Sequence, residues 1–542
     1  MLLAALKTCN RCRSSASSVI KLRSASSILF HLEEPRTSNL RISYFHSSSH
    51  QRSDSGDKKL PSSGSQIKIE EALADWANRD EPGKPEIKDD VFLRELQDGN
   101  LEDVGELMLM LGRKSEAQSH LLLQHYLPAV ALHLQALSSS NWSFSNISNI
   151  VHSLQCLQEF DDGYSTIMSL MTKKAETLNK NETASFADIS LIMVGLQSNS
   201  MSLQESRDFL LCVNTMVSRS KDTVTAPLLS NIIYGLQNMD SENEVVRQLL
   251  HDLEPKIRSC TASLSANGVA TVMYGLQRMS DNHAEVRSLL SALEPKVTGC
   301  KESLSAKGAS IALSGLRLMS SDHAEVRSLL SALEPKLRNC TNNPDAFAIG
   351  LALSSLRFMS SDHAEVRSLL SALDLKVRSC TDTFDAFALI NALSGLRRAS
   401  SDYPEVLSLL SALEPKVQSC TSLLSAQAVG NILSCLRLMS SDHAEVRSLL
   451  SALVPKVRSC TGTFSAMGVL NALSGFRRMS SDHVEVRSLL SALEVLVHGC
   501  AELLSPKDIA HAMAFLDSMN KDHPEVLSLR SVLQAKTVAA ST

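Results

Sequence analysis

The chain has 542 residues, with 53 Lys+Arg against 58 Asp+Glu, a formal charge of −5 and 44% hydrophobic residues. That balance argues against a strongly basic domain of general nucleic-acid affinity, and no apolar run approaches the ~18 residues of a membrane span. Aromatic residues make up only 4%, so any core must rest on Leu, Val, Ile, Ala and Met.

Residues 1–45 read as an organellar transit peptide. Lys7, Arg11, Arg13, Lys21 and Arg23 stand among many serines, and no acidic residue occurs before Glu33. The apolar stretch Met1–Leu6 is too short for a secretory h-region. Arg41-Ile-Ser-Tyr-Phe45 has the form of a mitochondrial processing site, which favours the mitochondrion, with the plastid as the alternative. Cys9 and Cys12 have metal or redox spacing but no second half, so no metal site is assigned to them.

Residues 46–94 are polar and increasingly acidic, with Pro82 and Pro85, and read as a disordered linker containing one short amphipathic candidate helix at Ile67–Trp76. Residues 95–144 are expected to form an N-terminal helical cap. From 145 to 542 a forty-residue block recurs, with a consensus close to SSDHAEVRSLLSALEPKVRSC, and Cys260, Cys300, Cys340, Cys380, Cys420, Cys460 and Cys500 mark its beat. Strict periodicity of this length predicts stacked supersecondary units, none able to bury its own apolar face. The expected fold is all-α, an α-solenoid of nine to ten two-helix repeats, about 100 Å long if each unit adds one helix diameter. At that spacing equivalent cysteines are too far apart to pair, so they read as small buried residues.

Within a unit, the first helix opens at an N-cap of one register: Ser265, Ser305, Asp345, Asp385, Ser425, Ser465 and Ser505. Val269, Val272, Met273 and Leu276 give its buried stripe, and the helix is predicted to run about fourteen residues to Met279. The second helix opens at Asp322-His-Ala-Glu325, the D-x-x-E form of a capping box, repeated through Asp522/Glu525. Val326, Leu329, Leu330, Leu333 and Leu337 form its apolar face. Pro335 should kink that helix without ending it, since Leu375 and Val495 replace it in other copies. Degenerate units at 145–155, 185–197 and 225–237, and the drifting last unit from Ser505, suit the polar caps of a solenoid.

Copies differ mainly on the first helix. Positions 267, 271, 274 and 278 fall within about 60° of one another, opposite the buried stripe. They read Asn267/Thr271/Tyr274/Arg278 in one unit, Phe347/Leu351/Ser354/Phe358 in another, Phe387/Asn391/Ser394/Arg398 in a third and Met467/Asn471/Ser474/Arg478 in a fourth. Either each unit offers a different contact to a ligand, or exposed positions have simply diverged. Phe347, Leu351 and Phe358 favour the first, because apolar clusters on a surface mark contact sites. Near the end of the first helix, Arg317, Arg357, Arg397, Arg437 and Arg477 form a ladder, one per unit, and Gln197, Gln237 and Gln277 hold the same place upstream. Guanidinium groups about 10 Å apart suit a phosphate backbone, and arginine also complements the carbonyls at a helix C-terminus.

Asn391-Ala-Leu-Ser-Gly-Leu396, Asn431-Ile-Leu-Ser-Cys-Leu436 and Asn471-Ala-Leu-Ser-Gly-Phe476 resemble the first-helix motif of the octotricopeptide repeats, over roughly residues 145–534. Tyr234, Tyr274 or a serine stands at that family's tryptophan position, and no RAP domain of the kind found in related proteins is expected after the last unit. The resemblance implies an organellar factor in RNA processing, stability or translation that binds single-stranded RNA along its first helices. On that basis the candidate RNA-binding residues are Asn231, Tyr234, Asn267, Thr271, Tyr274, Lys307, Arg317, Arg357, Asn391, Arg397, Asn431, Arg437, Asn471 and Arg477. The competing reading is a protein-interaction scaffold using the same surface. The units from Thr261 to Cys500 carry 23 Lys+Arg against 21 Asp+Glu, which suits the scaffold, whereas the organellar address and the asparagines suit RNA.

No phosphate-binding glycine loop, G-x-S-x-G elbow or H-E-x-x-H occurs, so no enzyme activity, cofactor, small-molecule substrate or membrane association is expected. His283, His323, His363, His443, His483 and His523 each sit alone in a unit, with Tyr403 taking the place once. They are read as first-turn polar residues and not metal ligands.

Overall fold

A computed structural model of the chain describes residues 104–105, 108, 116–137, 141–157, 163–517 and 519–536. The chain divides after Gly64 into two compact units, and every described residue belongs to the second. The transit peptide, the linker, the Ile67–Trp76 helix and the Cys9/Cys12 pair lie outside the described residues.

Among the described residues the fold is all α, with 21 α-helices and one short 3-10 turn. A lead helix α1 (Glu116–Ala136) precedes ten helical pairs. The first helices are α2 (Phe144–Ser153), α4 (Phe186–Gly195), α6 (Ala226–Tyr234), α8 (Ala266–Gly275), α10 (Ala306–Ser314), α12 (Ala346–Ser354), α14 (Ala386–Ser394), α16 (Ala426–Ser434), α18 (Ala466–Ser474) and α20 (Pro506–Leu516). The second helices are α3 (Tyr164–Asn181), α5 (Gln204–Arg219), α7 (Glu244–Ser259), α9 (Ala284–Thr298), α11 (Ala324–Arg338), α13 (Ala364–Ser379), α15 (Pro404–Ser419), α17 (Ala444–Arg458), α19 (Val484–His498) and α21 (Pro524–Ala535). Each first helix packs on the next first helix and each second on the next second, so the chain is an α-solenoid.

The first-helix caps form as the sequence predicts. Ser265, Ser305, Asp345, Asp385, Ser425 and Ser465 each accept a bond from the backbone N–H three residues on, and Ser505 completes a reciprocal capping box with Asp508. The helix itself is shorter than expected. α8 stops at Gly275, and residues 276–279 tighten into i→i−3 turns, with Leu276, Gln277 and Met279 donating to Met273, Tyr274 and Leu276 carbonyls at 2.9–3.1 Å. Close packing explains the stop, since a Cβ on Gly275 would overlap the Ile233 carbonyl of the preceding unit.

The capping box expected on the second helix does not form. α11 is capped by the backbone of His323 with no side-chain cap bond, one residue later than the Asp322 reading requires. Arg327 reaches back instead, donating to the Ser321 and Asp322 carbonyls at 2.7 and 3.0 Å. Asp322 is thereby released to partner later units. α11 continues unbroken through Pro335, and Val326, Leu329, Leu330, Leu333 and Leu337 are all buried. Each buried leucine contributes roughly 2 kcal/mol of transfer free energy, so the stacked aliphatic stripe dominates stability.

Hydrogen bonds repeat at the same beat and join unit to unit. The Ser360 N–H donates to Ser321 Oγ at 2.8 Å, and equivalent bonds run from Ser280 to Ser241, Ser400 to Ser361, Ser440 to Ser401 and Ser480 to Ser441. Lys416 Nζ donates to the Cys380 carbonyl at 2.5 Å, complementing the C-terminus of the preceding second helix, and Lys296, Lys336 and Lys456 do the same to Cys260, Cys300 and Cys420. The periodic cysteines are free thiols, most of them buried.

Candidate nucleic-acid interface

Three of a first helix's faces are covered: one by its own second helix and two by the neighbouring first helices. Only a narrow flank remains, and the candidate residues divide along its edge. Asn267 and Lys307 are exposed; Asn231, Tyr274, Asn391, Asn431 and Asn471 are half-buried. Tyr234 and Thr271 are corrections to the sequence reading, at 5% and 9% exposure. The Tyr234 ring stacks on Tyr274 with centroids 6.3 Å apart, so it is spent on the joint between units. Thr271 is enclosed because the seams on both sides of α8 are tight.

The asparagines are differently placed. The backbone carbonyls of Asn391, Asn431 and Asn471 accept from Ser394, Ser434 and Ser474 Oγ at 2.7–2.8 Å. Their side-chain amides bond to no described residue. Each presents both a donor and an acceptor, which is what a base edge requires.

Arg317, Arg357, Arg397 and Arg437 are half-buried, and Arg477 is exposed. They converge electrostatically. Burial holds the Arg437 guanidinium below its ordinary value, and Arg397, Arg398 and Arg477 press it further in the same direction. Cys435 acts in the opposite direction, and the buried Nε of Arg437 has no hydrogen-bond partner among the described residues. Burial likewise pushes the neighbouring Cys435 thiol up to about 11, against the opposing hydrogen bond of Ser434 and the pull of Arg397, Arg437 and Arg357. Like charges gathered in a partly dry strip favour an anion that spans them. Upstream the same register is neutral and self-satisfied: Gln237 Nε2 donates to Gln197 Oε1 at 3.2 Å, Gln197 Nε2 to Gln155 Oε1 at 3.5 Å, and Gln277 Nε2 to the Gln237 carbonyl at 3.3 Å.

Two residues assigned to the variable flank are structural instead. Arg398 reaches back two units, bonding Asp322 at 3.1 Å, Ser320 Oγ at 3.0 Å and the Phe358 carbonyl at 2.9 Å. Arg478 repeats this with Asp402 at 2.8 Å, Ser400 Oγ at 3.1 Å and the Leu438 carbonyl at 3.0 Å. Both are straps. The pKa values of the aspartates they hold, Asp322 and Asp402, are lowered, chiefly by these arginine hydrogen bonds.

The recurring histidines are joints as well. His283 pairs with Glu242 at 3.0 Å, His363 with Asp322 at 3.6 Å, His483 with Asp442 at 3.7 Å and His523 with Asp482 at 3.3 Å. Where Tyr403 replaces histidine, its hydroxyl donates to Asp362 at 3.1 Å. A forty-one-residue spacing between the histidine and the acid was visible in the sequence and is the signal that was missed. Among the described residues no group of three or more His, Cys, Asp or Glu is arranged to hold a metal, and no helix is long and apolar enough to cross a membrane. Neither the protein-family models nor the curated protein sequences match this chain.

Proposed function

We propose that this solenoid is an organellar RNA-binding protein, of the mitochondrion in the first instance, acting in RNA processing, stability or translation without catalysis of its own. Single-stranded RNA lies along the first helices. The observation that carries this reading is the arginine register at 357, 397, 437 and 477, where half-buried Arg437 lies within the field of Arg397, Arg398 and Arg477 and its buried Nε has no hydrogen-bond partner among the described residues. A polyphosphate backbone relieves that repulsion, and the open amides of Asn391, Asn431 and Asn471 meet base edges beside it. The resemblance to octotricopeptide repeats adds to this reading. A second reading, an extended polypeptide on the same flank, draws on the exposed Phe387 and Met467.

The test is filter binding of single-stranded RNA across a salt series. The parent is compared with a variant carrying glutamine at Arg317, Arg357, Arg397, Arg437 and Arg477, the residue used upstream. Five phosphate contacts give a log–log salt slope of about −3.5 for a single strand, and the variant should lose most of both slope and affinity. Equal binding by the two proteins removes the arginine mechanism, and a parent that binds no RNA at low salt favours the polypeptide.

A further inference from the structure

The first helices do not pack at equal intervals. From α2 to α12 successive first helices make extensive close backbone contact, and so do α12 with α14 and α16 with α18; α14 with α16, and to a lesser degree α18 with α20, make markedly less. The second helices show no such alternation. Side-chain size at two positions accounts for the pattern. The position facing forward onto the next first helix is Ser190, Ser230, Ala270, Ser310, Gly350 and Gly430 at the close seams, but Ile390 and Leu470 at the two wide ones. A Cβ on Gly350 would stand 3.0 Å from the Ala388 carbonyl oxygen, and one on Gly430 3.0 Å from that of Gly468, so a large side chain there forces the helices apart. The position facing backward is glycine at most close seams, among them Gly395 and Gly475, whose Cβ atoms would overlap the Leu353 and Leu433 carbonyls; at the wide seams it is Cys435 and Phe515. Both wide seams therefore follow from paired substitutions, eighty residues apart.

The wide seam between α14 and α16 is lined in a particular order. Phe387 stands at its entrance, 40% exposed. Its ring lies parallel to that of Phe347, 7° between planes and 5.9 Å between centroids, so the two rings already form a stack along this flank. One turn on is Asn391, with its unbonded amide, and beyond it are Arg397 and, across the seam, Arg437. An aromatic face, an amide and guanidinium groups along one line match the face, edge and phosphate of a nucleotide. The seam between α18 and α20 repeats the order with Met467, 46% exposed, then Asn471 and exposed Arg477.

We propose that these two seams are seats for single unpaired RNA bases, so that the protein reads with pairs of units and not with every unit. A base slides against the Phe387 ring in the first seat and against the Met467 thioether in the second, while its phosphates rest on the arginine strip. This inference rests on the RNA reading above and assigns specificity to two places along it.

The experiment uses the full chain and two variants that borrow residues the protein already tolerates at the same register: Phe387→Gln, from Gln427, and Ile390→Ala, from Ala270. Each is titrated with a single-stranded RNA and with the same RNA made abasic along its length, and a 2-aminopurine-labelled RNA reports stacking. The parent should bind intact RNA at least about tenfold more tightly than abasic RNA and change 2-aminopurine fluorescence on binding. Both variants should stay folded, with Ile390→Ala melting somewhat lower because Ile390 packs on the core. Each should keep its affinity for abasic RNA and lose the first seat's share of the preference for bases, leaving that of the second seat. If the parent binds abasic and intact RNA equally, with binding still lost in the arginine-to-glutamine variant, the seats are overturned and the backbone reading stands. If the parent binds no RNA but holds an extended peptide that Phe387→Gln releases, the seams belong to a protein ligand and both readings fall.

Discussion

At the register of Gln277 the early units carry glutamine and the later ones arginine, and the two stretches settle that position in opposite ways. Gln155, Gln197, Gln237 and Gln277 bond to one another or to a neighbouring backbone and close the surface. Arg397, Arg398 and Arg477 instead press on half-buried Arg437 and lower its pKa. Helix spacing changes later, with even seams up to α14 and alternating ones after it. A repeat can thus keep one backbone plan while closing one stretch on itself and gathering charge along another.

Moving charge into the closed stretch is the strongest way to break this contrast. Gln237 is buried, so Gln237→Arg should place an uncompensated cation beside Gln197 and destabilise the protein by about 2 kcal/mol, read from the urea midpoint. The reverse exchange, Arg437→Gln, should cost nothing or stabilise the unliganded chain. If both exchanges cost the same, the two stretches are not different in kind.

The straps belong to the later stretch alone and offer a smaller effect. Arg478→Ala should cost at most about 1 kcal/mol at neutral pH and low salt, because Asp402 is more than half exposed and the pair is screened. Arg478 holds the Asp402 carboxyl below its unfolded value. Its contribution is therefore present above that unfolded value, near pH 4, and is lost as pH falls through the folded one. Urea midpoints of parent and variant should converge in acid; a difference that persists there contradicts the assignment.

The smallest effect lies where the two stretches meet. Asp281 occupies the register filled by Ser241, Ser321, Ser361, Ser401, Ser441 and Ser481, and accepts the Ser320 N–H at 2.7 Å. Burial raises its carboxyl above the ordinary value. Stability from this group is then greatest when it is protonated and declines as pH rises through the folded value. Asp281→Ser should remove that decline and add a few tenths of a kcal/mol at neutral pH, visible as a raised melting temperature.

Period, helix number and first-helix caps were legible because each is written inside one unit: a serine or aspartate, then an apolar stripe, then a turn. What escaped was written between units. Asp322 looked like an N-cap because its partners, His363 and Arg398, lie 41 and 76 residues away. Thr271 looked outward on a helical wheel because a wheel shows one helix, and here neighbouring first helices shield it on two sides. Arg278, Arg398 and Arg478 share one position, yet among the described residues only the last two bond to an aspartate two units back. The wide seams were within reach of the sequence, since Ile390 and Leu470 interrupt a column of small residues, but only packing gives that column its meaning.

The straps also bear on how such a stack comes apart. Hairpins tied only to their neighbours would peel off singly from a frayed end, each loss independent of the one beyond it. Arg398 and Arg478 grip across an intervening hairpin, so loosening one disturbs a block of three. Under mechanical load, the later half should yield in larger cooperative steps than the earlier one.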